Sequence, residues 1–231
     1  MKELLKSLIP YSIRKWNRNR KSKKFRNKSI DQVFTEIYDT NHWANSESVS
    51  GHGSEIRQTE SLVKDLNKLF EEKNITSVLD IPCGDFNWMQ RVDLSNIKYV
   101  GADIVENLIE RNKAQFQENK NLQFKVLNLT VDPLPESDVI IVRDCFVHLS
   151  YKDINMAIKN IKSSNSKYLL ITTYPKTNQN HDILTGDWRA LNFQKEPFNF
   201  PDPLYIINEE VSKDNVQDKG KCMFLWEIDK L

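Results

Sequence analysis

The segment Val78–Met89, with the sequence VLDIPCGDFNWM, decides the fold. A short apolar strand is predicted to end at Asp80, and a tight turn follows over residues 82–85. A helix is predicted to begin directly after the turn. A strand, a glycine-bearing turn and a helix N-terminus in this order are typical of a nucleotide-binding site. The segment therefore predicts an α/β domain that binds a nucleotide-type ligand.

The charges of this turn restrict the ligand. Asp85 lies where a dinucleotide site would hold its pyrophosphate, and a carboxylate there would repel that group. Together with Asp80 it suits a ligand that carries an ammonium and a sulfonium group, as S-adenosylmethionine (SAM) does. Asp103, nineteen residues after Gly84, is spaced to accept hydrogen bonds from the ribose hydroxyls of either NAD or SAM. The alternative for Asp103 is a solvent-exposed acid at a strand end.

The segment VLDIPCGDFNWM, followed by YVGADIVENLIE at residues 99–110, resembles the first two motifs of the class I SAM-dependent methyltransferases. The usual first motif is D-x-G-x-G-x-G. Here Pro82 and Phe86 replace its first and third glycines, and Gly84 keeps the middle position, where the backbone comes closest to the ligand. The runs RDCFVHLS, TGDWRALN and PFNFP further along are similar to a bacterial subgroup of these enzymes that acts on small molecules or glycans. The resemblance implies SAM as the cofactor.

Alternating strands and helices predict a doubly wound, Rossmann-like α/β sheet. Strands are predicted at about 75–81, 97–103, 122–127, 139–143, 168–172, 204–207 and 222–226. Helices are predicted at about 55–73, after Asp103 and from Ser150, where Asp153 completes a start similar to a capping box. The interval between the third and fourth strands is too short for a full crossover helix. The resemblance implies seven strands, mostly parallel, with an antiparallel C-terminal strand.

Charge divides the chain into two predicted parts. The 231 residues have a net charge of +1, but residues 1–28 hold eleven Lys and Arg and one acid. Residues 1–30 are therefore predicted to be a basic amphipathic arm that contacts a membrane surface through residues 4–28, or else a solvated tail. Residues 31–231 are predicted to be the methyltransferase domain. No apolar run is long enough to span a bilayer and no signal peptide is evident, so a cytoplasmic enzyme is expected, with peripheral contact at the inner face of the membrane.

The resemblance extends the cofactor site to the ends of later strands. Asn128 and Leu129 follow the third strand, where Asn128 is either an adenine partner or a turn residue. Arg143 and Asp144 follow the fourth strand and are expected at the methionyl or substrate side. The residues predicted to bind the cofactor are Asp80, Cys83, Gly84, Asp85, Asp103, Ile104, Asn128, Leu129, Arg143, Asp144, Gly53 and Arg57.

Gly53 and Arg57 belong to that set for a different reason. Gly53 lies in a turn before a helix, so its backbone amides, with Arg57, are expected to hold the methionyl carboxylate. Trp43 is predicted to cover the site, or else to pack in the core. The three cysteines show no spacing typical of a zinc site or a disulfide framework, and no metal site is expected.

Two residues are candidate general bases for removing a proton from a substrate hydroxyl. His148 lies just past the end of the fourth strand, and its ordinary pKa suits this role. The alternative for His148 is packing or capping at the start of the next helix. Asp187 is the second candidate.

The segment from about 174 to 203 is predicted to form a substrate lid, because the resemblance places the lid there. Trp188 and Phe198 are expected to stack on a sugar or planar ring, and Arg189 to bind an anionic group. The alternative is a hydrophobic plug that seals the sheet.

The predicted function is methyl transfer from SAM to an oxygen or nitrogen of a small molecule or glycan precursor. The first alternative is a non-catalytic protein of the same fold that binds SAM or a nucleoside. An NAD-dependent oxidoreductase is disfavoured, because no G-x-G-x-x-G loop is present. Nucleic acid is an unlikely substrate, because Asp144-Cys145-Phe146 stands where nucleic-acid amino-methylating enzymes carry an Asn/Asp-Pro-Pro-aromatic motif.

Overall fold

The computed structural model describes residues 23–43, 45–209 and 220–231. The first 22 residues of the predicted basic arm lie outside this part, so its membrane contact stays a prediction. Within the described ranges, no helix is both long and apolar enough to cross a membrane.

Seven strands form one sheet in the order β3-β2-β1-β4-β5-β7-β6. They are β1 (Ser77–Asp80), β2 (Lys98–Asp103), β3 (Leu122–Val126), β4 (Val139–Val142), β5 (Tyr168–Thr173), β6 (Tyr205–Asn208) and β7 (Cys222–Glu227). β7 runs antiparallel to both of its neighbours, and the other neighbouring strands pair in parallel. The predicted fold class, a doubly wound and mostly parallel sheet with an antiparallel C-terminal strand, is confirmed.

In the described part of the chain, four α-helices accompany the sheet: α1 (Ile30–Asp39), α2 (Ile56–Glu72), α3 (Glu106–Gln115) and α4 (Tyr151–Lys162). Ser150 caps α4, since its Oγ accepts a hydrogen bond from the Asp153 amide at 3.2 Å. No helix lies between β3 and β4, as the short interval predicts.

Alternation along the strands builds two apolar layers. Val78 of β1 packs on one face with Leu62 and Leu66 of α2, while its neighbour Leu79 packs on the other face with Ile154 of α4. Both faces of the central strands are therefore covered, as a parallel sheet requires. A third, smaller cluster joins Val33 and Ile37 of α1 to Phe25, and places α1 beside the ends of the strands.

The replacement of the third glycine of the first motif by Phe86 has a structural explanation. The Phe86 backbone keeps the left-handed conformation of the missing glycine, with φ at +58°. Its side chain is buried in the core, where its ring lies 5.1 Å from Tyr99, 4.9 Å from Phe116 and 5.4 Å from Phe124. Left-handed backbone costs roughly 1 kcal/mol in a residue other than glycine, and aromatic packing of this extent offsets that cost. Phe86 therefore points into the core and does not line the cavity described below.

Candidate functional site

A cavity opens at the carboxyl ends of β1 to β4, and α1 covers it. It encloses about 1060 Å³, including the space at its open mouth. The sheet side is lined by residues 81–85, 103–105, 127–130 and 143–145, together with His148 and Leu149. The opposite side is lined mainly by Ile30, Phe34, Ile37, Tyr38, Trp43 and Val49.

The turn after β1 is fastened to the segment that precedes α2. Asp85 accepts hydrogen bonds from Ser48 Oγ and the Val49 amide, both at 3.0 Å. A Cβ on Gly84, whose φ is +55°, would lie 2.1 Å from Ser50 Oγ. The middle glycine is therefore required by a contact within the protein. Asp85 lines the cavity, and its carboxylate also holds residues 48–50 in place.

Asp103 stands at the end of β2 and lines the cavity. Its Oδ2 accepts from the Gly84 amide at 3.2 Å, and its Oδ1 accepts from the Val105 amide at 3.1 Å. A carboxylate oxygen can accept more than one hydrogen bond, so Asp103 retains acceptor capacity toward the cavity. Burial raises its pKa to about 6, against the lowering effect of these amides. Asp103 is 5% exposed, which excludes the solvent-exposed alternative.

Asp80 lies beneath the turn and does not line the cavity, which corrects the expectation that it contacts the ligand. Tyr99 donates to its Oδ2 at 2.7 Å, while Oδ1 is buried without a hydrogen-bond partner. Burial raises the pKa of Asp80 to about 7. A carboxyl group in this position influences the ligand through charge rather than through a direct bond.

The turn fits a cationic ligand better than a pyrophosphate. Burial first, and then the charges of Asp103, Asp80 and Asp85, raise the pKa of the Cys83 thiol well above its usual value. Those three carboxyl groups therefore make the potential at the turn negative. A sulfonium or ammonium group is stabilised by such a potential, and a dinucleotide is repelled. This group of acidic side chains fits the positively charged part of SAM.

Asn128, Leu129 and Ile104 all line the cavity at the ends of β2 and β3. The side-chain carbonyl of Asn128, Oδ1, accepts hydrogen bonds from the Thr130 amide at 2.9 Å and from Thr130 Oγ1 at 2.7 Å. Asn128 is thus a turn residue whose carbonyl serves its own loop, and its amide nitrogen is the group with capacity to donate to a ligand.

Four charged side chains form what we call the ionic network at the end of β4: Arg143, Glu209 and Lys221, which are buried, and Asp144, which is partly buried. Arg143 Nη2 contacts Glu209 Oε2 at 2.5 Å, and Arg143 Nη1 lies 3.4 Å from Asp144 Oδ2. Lys221 Nζ lies 2.5 Å from Asp144 and 3.2 Å from Glu209. Burial raises the pKa of Asp144, but Lys221 and Arg143 outweigh it and bring the pKa to about 2. The two cations and two anions neutralise one another.

The ionic network also fixes the turn before α2. Arg143 Nη2 donates to the Gly53 carbonyl at 2.8 Å. Gly53 does not line the cavity, and Arg57 is exposed and does not line it either. The predicted carboxylate site of Gly53 and Arg57 is therefore not assembled, because the turn faces Arg143 instead.

His148 lines the cavity from a 3-10 turn over Phe146–His148. Its Nδ1 lies 2.9 Å from the backbone carbonyl of Asp187. Because a carbonyl only accepts, Nδ1 carries the proton, and Nε2 is left with its lone pair. Burial lowers the pKa of His148 below its usual value. The Trp43 ring lies 5.6 Å from the imidazole, and Trp43 lines the cavity as predicted.

The other candidates in the segment 174–203 lie away from the cavity, so this segment is not its lid. The Asp187 carboxylate accepts from the Trp188 amide at 2.9 Å, and the Trp188 ring packs at 6.0 Å from Tyr174. Phe198 packs at 4.8 Å from Phe193. Arg189 is 1% exposed and donates to a backbone carbonyl. Phe198 packs against the core beneath the sheet, Trp188 packs on Tyr174, and α1 covers the cavity in their place.

Sequence reasoning missed Tyr38, Glu209 and Lys221. Tyr38 was detectable, because it lies four residues after Phe34 and shares its helical face. Glu209 and Lys221 carry no local signal, because only the return of β6 and β7 to the sheet brings them to Arg143. Among the described residues, no group of three His, Cys, Asp or Glu side chains is placed to hold a metal ion.

Residues 79–165 match the family model described as a methyltransferase domain. The matched segment contains the turn after β1, Asp103, the end of β4 and His148, which line the sheet side of the cavity. This match supports the predicted enzyme class, a methyltransferase.

Solved methyltransferase structures share the fold of the domain. The N-methyltransferase NodS from Bradyrhizobium japonicum, in complex with S-adenosyl-L-homocysteine, matches with a TM-score of 0.61 and 11% identity over 83% of this chain and 97% of its own. Human N-acetylserotonin methyltransferase in complex with SAM matches with a TM-score of 0.60 and 12% identity over 93% of this chain and 66% of its own. The methyltransferase domain of bacterial CtHen1 matches with a TM-score of 0.55 and 16% identity over 75% of this chain and 98% of its own. No curated protein matches the sequence.

Proposed function

We propose that this methyltransferase acts on a hydroxyl group of a small molecule, and that His148 removes the hydroxyl proton. The observation that carries the proposal is the hydrogen bond from His148 Nδ1 to the Asp187 carbonyl, on a side chain that lines the cavity. It leaves Nε2 as a neutral proton acceptor at the site.

The residues that would hold SAM are those of the sheet side of the cavity: Asp103, the turn at Gly84 and Asp85, and the loop at Asn128 and Leu129. When bound, SAM supplies a methyl group whose carbon–sulfur bond breaks toward sulfur as the acceptor oxygen bonds to the carbon, which leaves one proton to remove from that oxygen. His148 Nε2 accepts this proton. Because burial lowers its pKa, His148 is already neutral at pH 7 and does not first have to lose a proton.

The lining opposite the sheet supports an acceptor with an apolar or planar body. Phe34, Tyr38 and Trp43 face the cavity together with aliphatic residues. Among the described lining residues, the one Arg or Lys is Arg143, and the ionic network already neutralises it. Among the described lining residues, a phosphate or carboxylate on the acceptor would therefore find no cation beyond Arg143, and SAM brings a carboxylate of its own to the same cavity. The aromatic residues expected to bind a glycan, Trp188 and Phe198, lie elsewhere, so a small molecule is the better-supported acceptor.

The test separates binding from turnover. SAM, S-adenosylhomocysteine and NAD are first titrated calorimetrically into the protein. Transfer of labelled methyl from SAM is then measured with matched aromatic compounds that carry a hydroxyl, an amine or a phosphorylated hydroxyl, and with sugars. We expect turnover of the uncharged hydroxyl compounds. Binding of SAM without turnover of any acceptor would favour the non-catalytic alternative, and a preference for sugars would favour a glycan substrate.

His148→Asn is the variant that tests the base. The Asn side-chain amide still donates toward the Asp187 carbonyl but offers no basic nitrogen. We expect kcat on a hydroxyl acceptor to fall by about 10²–10⁴-fold, with the SAM dissociation constant unchanged. An unchanged kcat would show that His148 is not the base.

A further inference from the structure

Two segments far apart in sequence are fastened together beside the cavity. One is the turn 146–148, which ends in His148, and the other is the loop 186–189. Four hydrogen bonds join them: the Gly186 amide to the His148 carbonyl at 2.8 Å, His148 Nδ1 to the Asp187 carbonyl at 2.9 Å, the Arg189 amide to the Val147 carbonyl at 3.0 Å, and Arg189 Nη1 to the Phe146 carbonyl at 2.8 Å. We call this pair of segments the clasp.

We propose that the clasp is a positioning element: Gly186–Arg189 hold His148 in one tautomer and one orientation and couple it to the helix that covers the cavity. The inference rests on the proposed function of His148 as the base. It assigns to this loop a role that differs from substrate binding, since none of its residues lines the cavity.

The partner of Nδ1 determines what the imidazole can do. A backbone carbonyl keeps the proton on Nδ1, and the rise in the His148 pKa that this hydrogen bond causes is outweighed by the lowering effect of burial. The backbone hydrogen bonds between the turn and the loop fix the position of that carbonyl. The imidazole ring therefore has one orientation in which it can donate to the carbonyl. The ring also packs 5.6 Å from Trp43, which limits its rotation from the other side.

Packing alone does not explain why the charged side chain of Arg189 is buried, because burial removes its guanidinium from water. It is 1% exposed and forms no ion pair among the described residues. Within the described ranges, its Nε and Nη2 have no hydrogen-bond partner, and its guanidinium lies 5.6 Å from the Tyr151 ring. Burial lowers its pKa to about 10, so it remains a cation at neutral pH. The polar bonds that it does form are both to the turn that carries His148.

Gly186 connects the clasp to the cover of the cavity. Its φ is +96°, and a Cβ there would lie 2.7 Å from both Phe25 Cδ2 and Val33 Cγ1. Val33 belongs to α1, which lines the cavity through neighbouring residues. The loop therefore packs directly beneath α1, and any side chain at position 186 displaces either the loop or the helix. A movement of α1 is transmitted to His148 along this contact.

The first test follows the tautomer by NMR of the protein labelled with ¹⁵N-histidine, with the His148 signal assigned by its loss in His148→Asn. In the wild type, Nδ1 should be protonated and Nε2 should be free. Arg189→Met and Gly186→Ala should both give a mixture of tautomers. Asp187→Asn keeps the backbone carbonyl and should keep the wild-type signal. A wild-type signal in both Arg189→Met and Gly186→Ala would overturn the proposal, whether or not an acceptor is known.

The second test uses kinetics on a hydroxyl acceptor. Arg189→Met should lower kcat by roughly 10–100-fold through misplacement of the base, leave the SAM dissociation constant unchanged, and move the acidic limb of the kcat profile toward the usual pKa of histidine. Arg189→Lys, which can still donate to the Phe146 carbonyl, should restore part of the loss. Lys195→Met removes an exposed cation from the same segment and serves as the matched control.

The outcomes distinguish the two proposals. If His148→Asn keeps full activity, the base assignment fails, and the NMR result alone decides the clasp. If His148→Asn is inactive while Arg189→Met keeps kcat, pH profile and tautomer, the base stands and the clasp is wrong.

Discussion

Buried charges occur in two regions of this site, and they are satisfied differently. In the ionic network, two cations contact two anions, and the pKa of Asp144 falls to about 2. Beneath the turn after β1, Asp80 has an oxygen with no partner, and burial raises its pKa to about 7. In the first region the positive and negative charges neutralise one another, as expected of a group of side chains that stabilises the fold. The second leaves negative charge for a cationic ligand to neutralise.

The largest effect that would sharpen this comparison is on stability. Arg143→Met should lower the free energy of unfolding by about 3–5 kcal/mol, because it leaves Glu209, which is buried, and Asp144, which is partly buried, with only Lys221 between them. Denaturant unfolding measures the change. A loss below about 1 kcal/mol would mean that the ionic network is not a support and that the two regions do not differ.

A smaller effect is expected on ligand binding as a function of pH. The folded-state pKa values of Asp80 and Asp103, about 7 and about 6, lie above the usual value. Both groups gain negative charge as pH rises through 6 to 7, so the affinity for the SAM cation should increase over that interval and level off above it. Calorimetry from pH 5 to 8 measures this.

S-adenosylhomocysteine is the control for that titration, because it has no sulfonium charge and its affinity should change less. Asp80→Asn should remove the component near pH 7 and keep the one near 6. Equal pH dependence for the two ligands would contradict the assignment of negative potential to this turn.

The smallest effect concerns Arg189, a buried cation with a carbonyl partner and no anion. Replacing an unpaired buried charge with an apolar side chain of similar length is often neutral or stabilising. Arg189→Met should therefore leave the free energy of unfolding within about 1 kcal/mol of the wild type, or raise it. A loss as large as that of Arg143→Met would show that Arg189 is a structural support of the same kind.

The sequence by itself determined the strands of the first half, the turn after β1 and the acidic residues around that turn. Val78 to Asp80 are apolar and then acidic, Gly84 follows at the turn, and Asp103 ends the next strand. These signals lie within thirty residues, and parallel strands bring their carboxyl ends to one edge of the sheet, so local pattern was enough to predict them. His148 was predicted by the same rule, from its place after β4.

Only the tertiary structure decided which later residues belong to the site. Trp188, Arg189 and Phe198 have the composition of a binding loop, yet they pack away from the cavity, while Tyr38 and Trp43 line it. Glu209 and Lys221 meet Arg143 only because β7 returns antiparallel beside β5. Aromatic and charged residues suit a core plug, an ion pair or a ligand equally well, so their roles depend on which distant segments the sheet brings into contact.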